Sequence, residues 1–201
     1  MAARPYEFKS RLGHNSRMNT PLSPAIFLDR DGTLHRDTGY LIRFEDFEPL
    51  PGVEEALKRM RDEGFRLFVA SNQSGVARGF FPMEDVLDLN RKIQEYFQSK
   101  GIPIEEVAIC PHHPEGVVQE YSRECDCRKP KPGMLLDLAK RHGIDLEHSY
   151  MVGDHPRDAK AGIAAGATGV LIHANSAGSV DKHTRLKEFP SILEFARSLS
   201  G

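Results

Sequence analysis

Short apolar runs alternate with amphipathic stretches along most of the chain. The runs that we interpret as buried strands span residues 25–29, 65–70, 107–110, 149–152 and 169–172. Between them, apolar residues recur every three or four positions, as in helices that bury one face. This spacing predicts helices over 52–64, 82–100, 133–142, 157–165 and 192–199. Strands and helices that alternate in this way predict a three-layer α/β fold, with a parallel sheet between two layers of helices.

Composition narrows the class of protein. The chain has 201 residues, 39% hydrophobic and 28% charged, which is enough to bury one core. Lysine and arginine total 27 against 29 aspartates and glutamates, so the chain lacks the positive excess of a nucleic-acid-binding protein. No apolar run approaches the length of a membrane span, and the N-terminus lacks the apolar centre of a secretion signal. We therefore expect a cytoplasmic globular monomer that binds neither nucleic acid nor membranes.

The chain shows no internal repeat and no low-complexity linker, so we expect one domain over residues 21–201. Residues 1–20 are polar, and we expect an N-terminal extension there. It is either a flexible native arm or a stretch added by an expression vector. Two segments, 72–81 and 111–132, are too long and irregular for plain connections. Both follow predicted strands, where parallel sheets bind their ligands, so we expect both to border a site.

Two aspartates stand where the first predicted strand ends. Asp29 and Asp31 are two positions apart, so they project to the same side of an extended chain, and Gly32 then allows a turn. Adjacent carboxylates repel each other unless a cation or a shared proton compensates, and Mg²⁺ prefers carboxylate oxygens. For this motif alone, an Asx turn and a solvated turn remain alternatives. A calcium loop is excluded, because Tyr40 stands at its twelfth position.

Further polar groups follow the other predicted strands. Ser71 offers a hydroxyl, Lys129 a positive charge, and Asp154 another carboxylate. A nucleophilic carboxylate, a hydroxyl, a lysine and a metal-binding aspartate at one sheet edge are typical of phosphoryl transfer. Asp158 lies one helical turn beyond Asp154, and we expect it to support the site rather than to bind the metal.

Three cysteines and a histidine form a compact pattern in the second irregular segment. The cysteines are Cys110, Cys125 and Cys127, and His112 lies beside the first of them. An odd number of clustered cysteines argues against a disulfide framework. Three thiolates and one imidazole can close a tetrahedral zinc site, and four protein ligands make such a site structural. Free thiols remain an alternative, and His113 is a rival ligand to His112.

These motifs resemble those of the haloacid dehalogenase (HAD) superfamily of phosphohydrolases. Its four motifs match Asp29-x-Asp31-Gly32-Thr33, Ser71, Lys129 and Gly153-Asp154. Within the superfamily, the chain is most similar to the D-glycero-D-manno-heptose 1,7-bisphosphate 7-phosphatases, which are related to the histidinol-phosphate phosphatases. The matching stretches are AIFLDRDGT, DTGY, SNQSGVARG, CPHHPEG, ECDCRKPKPGMLL and SYMVGD. The resemblance implies a Rossmann-like HAD fold.

The resemblance also implies a mechanism. Asp29 would be the nucleophile that forms an aspartyl-phosphate, and Asp31 would protonate the leaving group and then activate water. An ordinary aspartate pKa is about 3.9, so Asp31 needs tuning by its surroundings to act as an acid near neutral pH. Asp29, the backbone carbonyl of Asp31, and Asp154 would hold Mg²⁺. Ser71 and Lys129 would stabilise the phosphoryl oxygens.

A substrate-binding set follows from the same resemblance. Its members match positions that contact the sugar or its phosphates: Asp37, Thr38, Gly39, Tyr40, Asn72, Gln73, Ser74, Arg128 and His155. Arg128 can grip a second phosphate with two parallel hydrogen bonds, which suits a bisphosphate. His155 departs from the family, which usually has lysine at this position.

The family pattern assigns structural zinc to Cys110, His112, Cys125 and Cys127 and leaves His113 outside. The implied substrate is a phosphorylated heptose, and histidinol phosphate is the alternative. The long stretch between Cys110 and Cys125 favours heptose, because the histidinol-type enzymes carry a shorter zinc loop. A zinc-stabilised binding module is a third possibility, which the complete motif set disfavours. No large insertion follows Asp31, so we expect no large cap domain.

Overall fold

The computed structural model describes residues 22–173, 179–180 and 185–200. Its strands are β1 (Ala25–Leu28), β2 (Arg66–Asn72), β3 (Ile104–Cys110), β4 (Tyr150–Gly153), β5 (Thr168–Ile172), β6 (Ser179–Val180) and β7 (Leu186–Phe189). Its helices are α1 (Val53–Asp62), α2 (Met83–Ser99), α3 (Gly133–His142), α4 (Pro156–Ala165) and α5 (Ile192–Arg197), with a 3₁₀ turn at Phe44–Asp46. The predicted N-terminal extension lies outside the described residues.

The seven strands form one sheet in the order β3-β2-β1-β4-β5-β7-β6. All neighbours pair in parallel except β6, which runs antiparallel to β7. The prediction of a parallel α/β sheet is therefore confirmed. The apolar pattern does not predict β6 and β7, because β7 places two charged residues between two apolar ones (LKEF). β1 pairs with β2 on one side and with β4 on the other, so the strand order reverses at β1. Ligands of open α/β sheets bind at such a point of reversal.

Helices cover both faces of the sheet, as predicted. On one face, α1, α2 and α5 pack in a common cluster with Ile26 and Leu28 of β1. On the other face, α3 and the end of α4 pack with Phe27 of β1 and Met151 of β4. Successive side chains of a strand point to opposite faces, so β1 contributes to both layers. Burying each of these large side chains stabilises the fold by about 1.5–3 kcal/mol.

Three connections at the carboxyl ends of β1, β2 and β3 border the candidate site. They span residues 29–52, 73–82 and 111–132, all of which are described, and none of them contains a separate folded domain. This agrees with the prediction that a large cap domain is absent. Among the helices described here, none combines the length and the apolar character needed to cross a lipid bilayer.

Candidate active site

Asp29 follows β1 directly and lies at the centre of the sheet's carboxyl edge. Its backbone N–H donates to the carbonyl of Val152 in β4 (2.8 Å), which fixes the chain between two strands. Lys129 Nζ lies 2.6 Å from Asp29 Oδ1 and 2.7 Å from Asp158 Oδ1. All three side chains are buried. We call Asp29, Lys129 and Asp158 the aspartate–lysine network.

The network places one positive charge between two carboxylates. Burial is the largest effect on the pKa of Asp29 and raises it. The charge of Lys129 lowers this pKa and the charges of Asp158 and Asp31 raise it, so that together these effects place it at about 6. Burial alone would lower the pKa of Lys129, but the two flanking carboxylates raise it above its ordinary value. The lysine is therefore a permanent positive charge beside Asp29, and the three groups together carry a net negative charge when both carboxyls are ionised.

Asp31 is held by four neighbouring side chains. Arg30 Nη2 and His35 Nε2 each lie 2.9 Å from its Oδ1. Gln73 Nε2 donates to its Oδ2 at 2.8 Å, and Ser71 Oγ donates to the same oxygen at 3.3 Å. Burial tends to raise the pKa of Asp31, but the Arg30 charge and the hydrogen bond with His35 hold it well below the usual range. This direction is the opposite of the tuning that a general acid needs, so the free site keeps Asp31 ionised.

Sequence reasoning missed Arg30 and His35. Both are about 1% exposed, and Arg30 Nη1 also donates to Asn90 Oδ1 of α2 at 2.9 Å. The backbone N–H of Gly32 donates to the His35 carbonyl (2.8 Å), and this turn brings the imidazole back to Asp31. The available signal was charge balance, because a pair of buried carboxylates requires nearby donors, and DRDGTLH contains two.

Gly32 lets the chain after β1 pass close to Asp154. Its φ is +83°, and a Cβ at this position would lie 2.1 Å from Asp154 Oδ2. Any side chain here would therefore displace the Asp154 carboxylate and would also require a strained backbone. The turn predicted at Gly32 thus serves a second purpose, because it leaves room for a carboxylate from β4.

The candidate magnesium ligands converge at this point. Carboxylate oxygens of Asp29, Asp154 and Asp158 lie within 4.8 Å of one another. Asp154 Oδ1 is buried and has no hydrogen-bond partner among the described residues. Asp158 is already engaged, because one oxygen pairs with Lys129 and the other accepts the His155 backbone N–H (3.1 Å). Asp29 and Asp154 therefore remain to offer oxygens to a hard cation, and this donor set fits Mg²⁺.

A cavity of about 250 Å³ opens beside Asp29. It is lined by Asp29, Asp31, Asp37, Gly39, Tyr40, Ser71, Asn72, Gln73, Ser74, Arg128 and Arg157. Most of the predicted substrate-binding residues thus face one space. Thr38 and His155 do not line it, and Lys129 is instead buried in contact with Asp29. Arg157 lines the cavity although the sequence did not single it out.

Asn72 and Gln73 line the cavity, but their side-chain amides are bonded to the protein. Asn72 Nδ2 donates to the Lys129 carbonyl, and Asn72 Oδ1 accepts from the Lys129 backbone N–H, both at 3.0 Å. Gln73 Nε2 donates to Asp31 Oδ2 and to Ser71 Oγ, both at 2.8 Å. These two residues were predicted to contact substrate. In the structure their amides orient the predicted catalytic residues.

The three cysteines and His112 come together on the connection after β3. We call residues 110–127 the cysteine loop. The Sγ–Sγ distances within the group are 3.1, 3.3 and 3.5 Å, and His112 Nδ1 lies 3.3 Å from Cys127 Sγ. His113 points elsewhere, with its Nε2 3.0 Å from Arg78 Nη2. Three free thiols and one imidazole around a common centre fit a tetrahedral zinc ion.

The comparison with known families agrees with this geometry. Residues 24–166 match the model of the haloacid dehalogenase-like hydrolases. The chain belongs to this hydrolase family. It is 44% identical over 150 residues to the D-glycero-beta-D-manno-heptose-1,7-bisphosphate 7-phosphatase of Yersinia pestis, covering 74% of this chain and 80% of that one. The Escherichia coli K12 protein of the same name is 43% identical over 150 residues, covering 74% and 78%.

A solved structure extends the similarity to the whole fold. The D,D-heptose 1,7-bisphosphate phosphatase of B. bronchiseptica, complexed with magnesium and phosphate, superposes with a TM-score of 0.73 at 29% identity. The match covers 88% of this chain and 97% of that one. The resemblance inferred from the motifs is thus confirmed, and this HAD-like hydrolase has phosphatases as its relatives.

Proposed function

We propose that this HAD-like hydrolase is a Mg²⁺-dependent phosphatase that removes the 7-phosphate of D-glycero-beta-D-manno-heptose 1,7-bisphosphate. The observation that carries the proposal is the placement of Asp29, whose carboxylate lines a cavity and contacts the buried ammonium of Lys129. A second carboxylate, that of Asp31, lines the same cavity. Relatives above 40% identity are named for this substrate.

In the first half of the reaction, a carboxylate oxygen of Asp29 attacks phosphorus and the bond to the sugar oxygen breaks. The leaving oxygen needs a proton, and Asp31 is the candidate donor. Asp31 is ionised in the free site, but the negative charge of an incoming phosphate raises the pKa of a nearby carboxyl. Substrate binding would therefore load Asp31 with the proton that it passes to the sugar.

In the second half, water attacks the phosphorus of the aspartyl-phosphate and frees Asp29. Asp31 has returned to its ionised form and accepts a proton from this water. The hydrogen bond from Gln73 holds the carboxylate in one orientation for both steps. The result is inorganic phosphate and a regenerated nucleophile.

Charge on the transferred group would be balanced by three sources. Asp29, Asp154 and the backbone carbonyl of Asp31 would hold Mg²⁺, which when bound neutralises the negative charge of the phosphoryl group. Lys129 supplies a fixed charge from inside the protein, and the Ser71 hydroxyl offers a hydrogen-bond donor. Asp154 Oδ1 is buried and has no hydrogen-bond partner in the described part of the chain, which supports this assignment of the metal.

The cysteine loop would contribute order rather than chemistry. Four protein ligands leave no open zinc position for water, so zinc there would be structural. Arg128 Nη1 donates to the His112 carbonyl at 3.2 Å, so a ligand residue holds the arginine in place. Arg128 lines the cavity and would bind the second phosphate of the bisphosphate.

Phosphate release with Mg²⁺ tests the substrate. We expect the highest kcat/KM with the beta-anomer of the heptose bisphosphate, a lower value with the alpha-anomer, and the lowest with histidinol phosphate. A higher value for histidinol phosphate would overturn the substrate assignment and leave the chemistry intact. No release from any sugar phosphate would overturn the phosphatase assignment and favour a binding module.

Three broader expectations stay predictions: that residues 21–201 form one domain, that the enzyme is a monomer, and that it works in the cytoplasm. The described strands all join one sheet, which supports a single domain. Limited proteolysis tests the domain boundary, light scattering of the purified chain tests the monomer, and cell fractionation tests the location.

A further inference from the structure

Two basic side chains stand at the start of α4, His155 at its N-cap and Arg157 in its first turn. The family resemblance assigns the phosphate contact to His155, in place of the usual lysine. In the structure, His155 is the N-cap of α4. Its Nδ1 accepts the Arg157 backbone N–H (3.4 Å), and its own backbone N–H donates to Asp158 Oδ2 (3.1 Å).

This capping role removes His155 from the candidate site. The imidazole is exposed and does not line the cavity. Because Nδ1 accepts the backbone hydrogen bond, only Nε2 of this imidazole is left as a donor, and the side chain lies outside the cavity lining. The side chain at position 155 therefore stabilises the helix start instead of serving the ligand.

Arg157 has the opposite properties. It lines the cavity together with Asp29, Asp31 and Arg128. Its Nε is buried without a hydrogen-bond partner, and no carboxylate in the described part of the chain lies within ion-pair distance of it. A guanidinium is always charged and offers five N–H donors in a plane that matches a phosphate. A buried donor without a partner is costly, so an oxygen-rich ligand supplies what this side chain lacks.

We propose that Arg157, and not His155, is the residue of this turn that binds the transferred phosphate group. The proposal rests on the proposed function for the identity of the substrate. It goes beyond that function because it assigns the phosphate contact to a residue two positions after the one that the family resemblance indicates.

The side of the cavity on which Arg157 lies indicates which phosphate it contacts. Arg157 stands three positions after Asp154, in the first turn of the helix that follows β4. Asp154 in turn lies within 4.8 Å of the nucleophile Asp29. Arg128 instead belongs to the segment that follows the cysteine loop. Arg157 therefore serves the phosphate that is transferred, and Arg128 the phosphate that remains on the sugar.

Binding of inorganic phosphate in the presence of Mg²⁺, measured by titration calorimetry, tests the proposal without turnover. Arg157→Gln should weaken phosphate binding about tenfold, because it removes a charged hydrogen bond that water replaces only in part. Arg157→Lys should fall between the two, because it keeps the charge and loses the planar fork. In steady-state kinetics, Arg157→Gln should raise KM more than it lowers kcat.

Two further variants complete the design. His155→Asn keeps an N-cap acceptor and removes the imidazole, and it should change the phosphate affinity by less than about twofold. Lys160→Gln removes a positive charge from an exposed position of the same helix and controls for the general charge of α4. Circular dichroism confirms that each variant folds, and Arg157→Lys keeps the test available if Arg157→Gln does not fold.

The proposal is overturned if Arg157→Gln binds phosphate as the parent does, or if His155→Asn weakens binding as much as Arg157→Gln. It is equally overturned if Lys160→Gln matches Arg157→Gln, because the effect would then be one of net charge. A loss of phosphate affinity in Arg157→Gln alone, in a parent that hydrolyses no heptose bisphosphate, would support Arg157 and reject the proposed substrate.

Discussion

The aspartate–lysine network and the cysteine loop are neighbours in the chain, yet they are held in place by different means. In the network, the ammonium of Lys129 forms ion pairs with the carboxylates of Asp29 and Asp158, and all three side chains are buried. In the cysteine loop, four donor groups face a common centre and Cys125 and Cys127 are only partly buried. The sheet and its helices build the first region, whereas we propose that a metal ion orders the second.

The two regions meet at Lys129, which follows Cys127 by two residues. Its side chain belongs to the network, and its backbone is bonded on both sides to the Asn72 side chain. A change in the network should therefore affect chemistry and core stability together. A change in the cysteine loop should affect substrate binding and leave the core intact.

The largest effect is expected from Asp29, the proposed nucleophile. Asp29→Asn replaces a carboxylate by an amide that cannot form the aspartyl-phosphate, so kcat should fall by at least about 1,000-fold. The fold should persist, because the ionised form of Asp29 is itself costly to bury. Phosphate release and thermal unfolding measure the two quantities. A folded variant with the turnover of the parent would disprove the covalent mechanism.

Removing the charge of Lys129 should lower the free energy of unfolding of the protein. Lys129→Met leaves two buried carboxylates without their cation, and breaking a buried pair costs about 3–5 kcal/mol of unfolding free energy. Urea denaturation measures this change. Adding Asp158→Asn to Lys129→Met should restore part of the stability, because it removes one of the orphaned charges.

The control for this experiment is an exposed ion pair of the same protein. Arg43 and Asp46 pair on the surface, so Arg43→Met should leave the urea midpoint unchanged. If Lys129→Met behaved like Arg43→Met, the network would be no stronger than a surface contact, and the contrast with the cysteine loop would lose its basis.

Replacing Cys125, a proposed zinc ligand, should change substrate binding more than the chemical step. Cys125→Ser should release zinc, loosen residues 110–127 and raise KM by about tenfold, with a smaller change in kcat and in the Mg²⁺ dependence. Zinc content and hydrogen exchange of the loop accompany the kinetics. His113→Gln is the matched control, since His113 lies outside the cluster and the variant should retain zinc. Full loss of zinc with unchanged kinetics would contradict this role for the loop.

The smallest effect concerns pH. The pKa of Asp29 is raised to about 6, so the nucleophile gains a proton as the pH falls through that value. At limiting Mg²⁺, kcat/KM should drop about twofold between pH 7 and pH 6. Higher Mg²⁺ should move this acid limb to lower pH, because the cation competes with the proton for the carboxylate. A flat profile down to pH 5 at limiting Mg²⁺ would contradict the raised pKa.

Much of the fold follows from local pattern. The helical stripe Val53, Ala56, Leu57 and Met60 is fully buried, and the strand signal at Ala25 marks the central strand. β3 begins at Ile104, three residues before its predicted start. The prediction missed these residues because Glu105 and Glu106 interrupt the apolar run. β7 gains its place by pairing with β5, and this long-range contact leaves no local signature.

The candidate site divides in the same way. Asp29 and Asp154 follow strands and Ser71 lies near the end of β2, so local pattern already predicts that they share an edge. The partners of Asp31 are different: Arg30 and His35 turn inward for reasons of charge balance that no periodicity shows. Arg157 also escapes local reasoning, since its value depends on a cavity formed by three distant connections.

The reciprocal bonds between the Asn72 side chain and the Lys129 backbone have a consequence for protein engineering. They anchor the lysine to the end of β2 independently of the segment that precedes it. Residues 111–124 can therefore be replaced by a shorter segment, with Asn72 and residues 125–129 kept. We expect Lys129 to keep its position in such a variant. This segment is thus a place where a loop exchange can change the substrate specificity while the predicted catalytic residues stay unchanged.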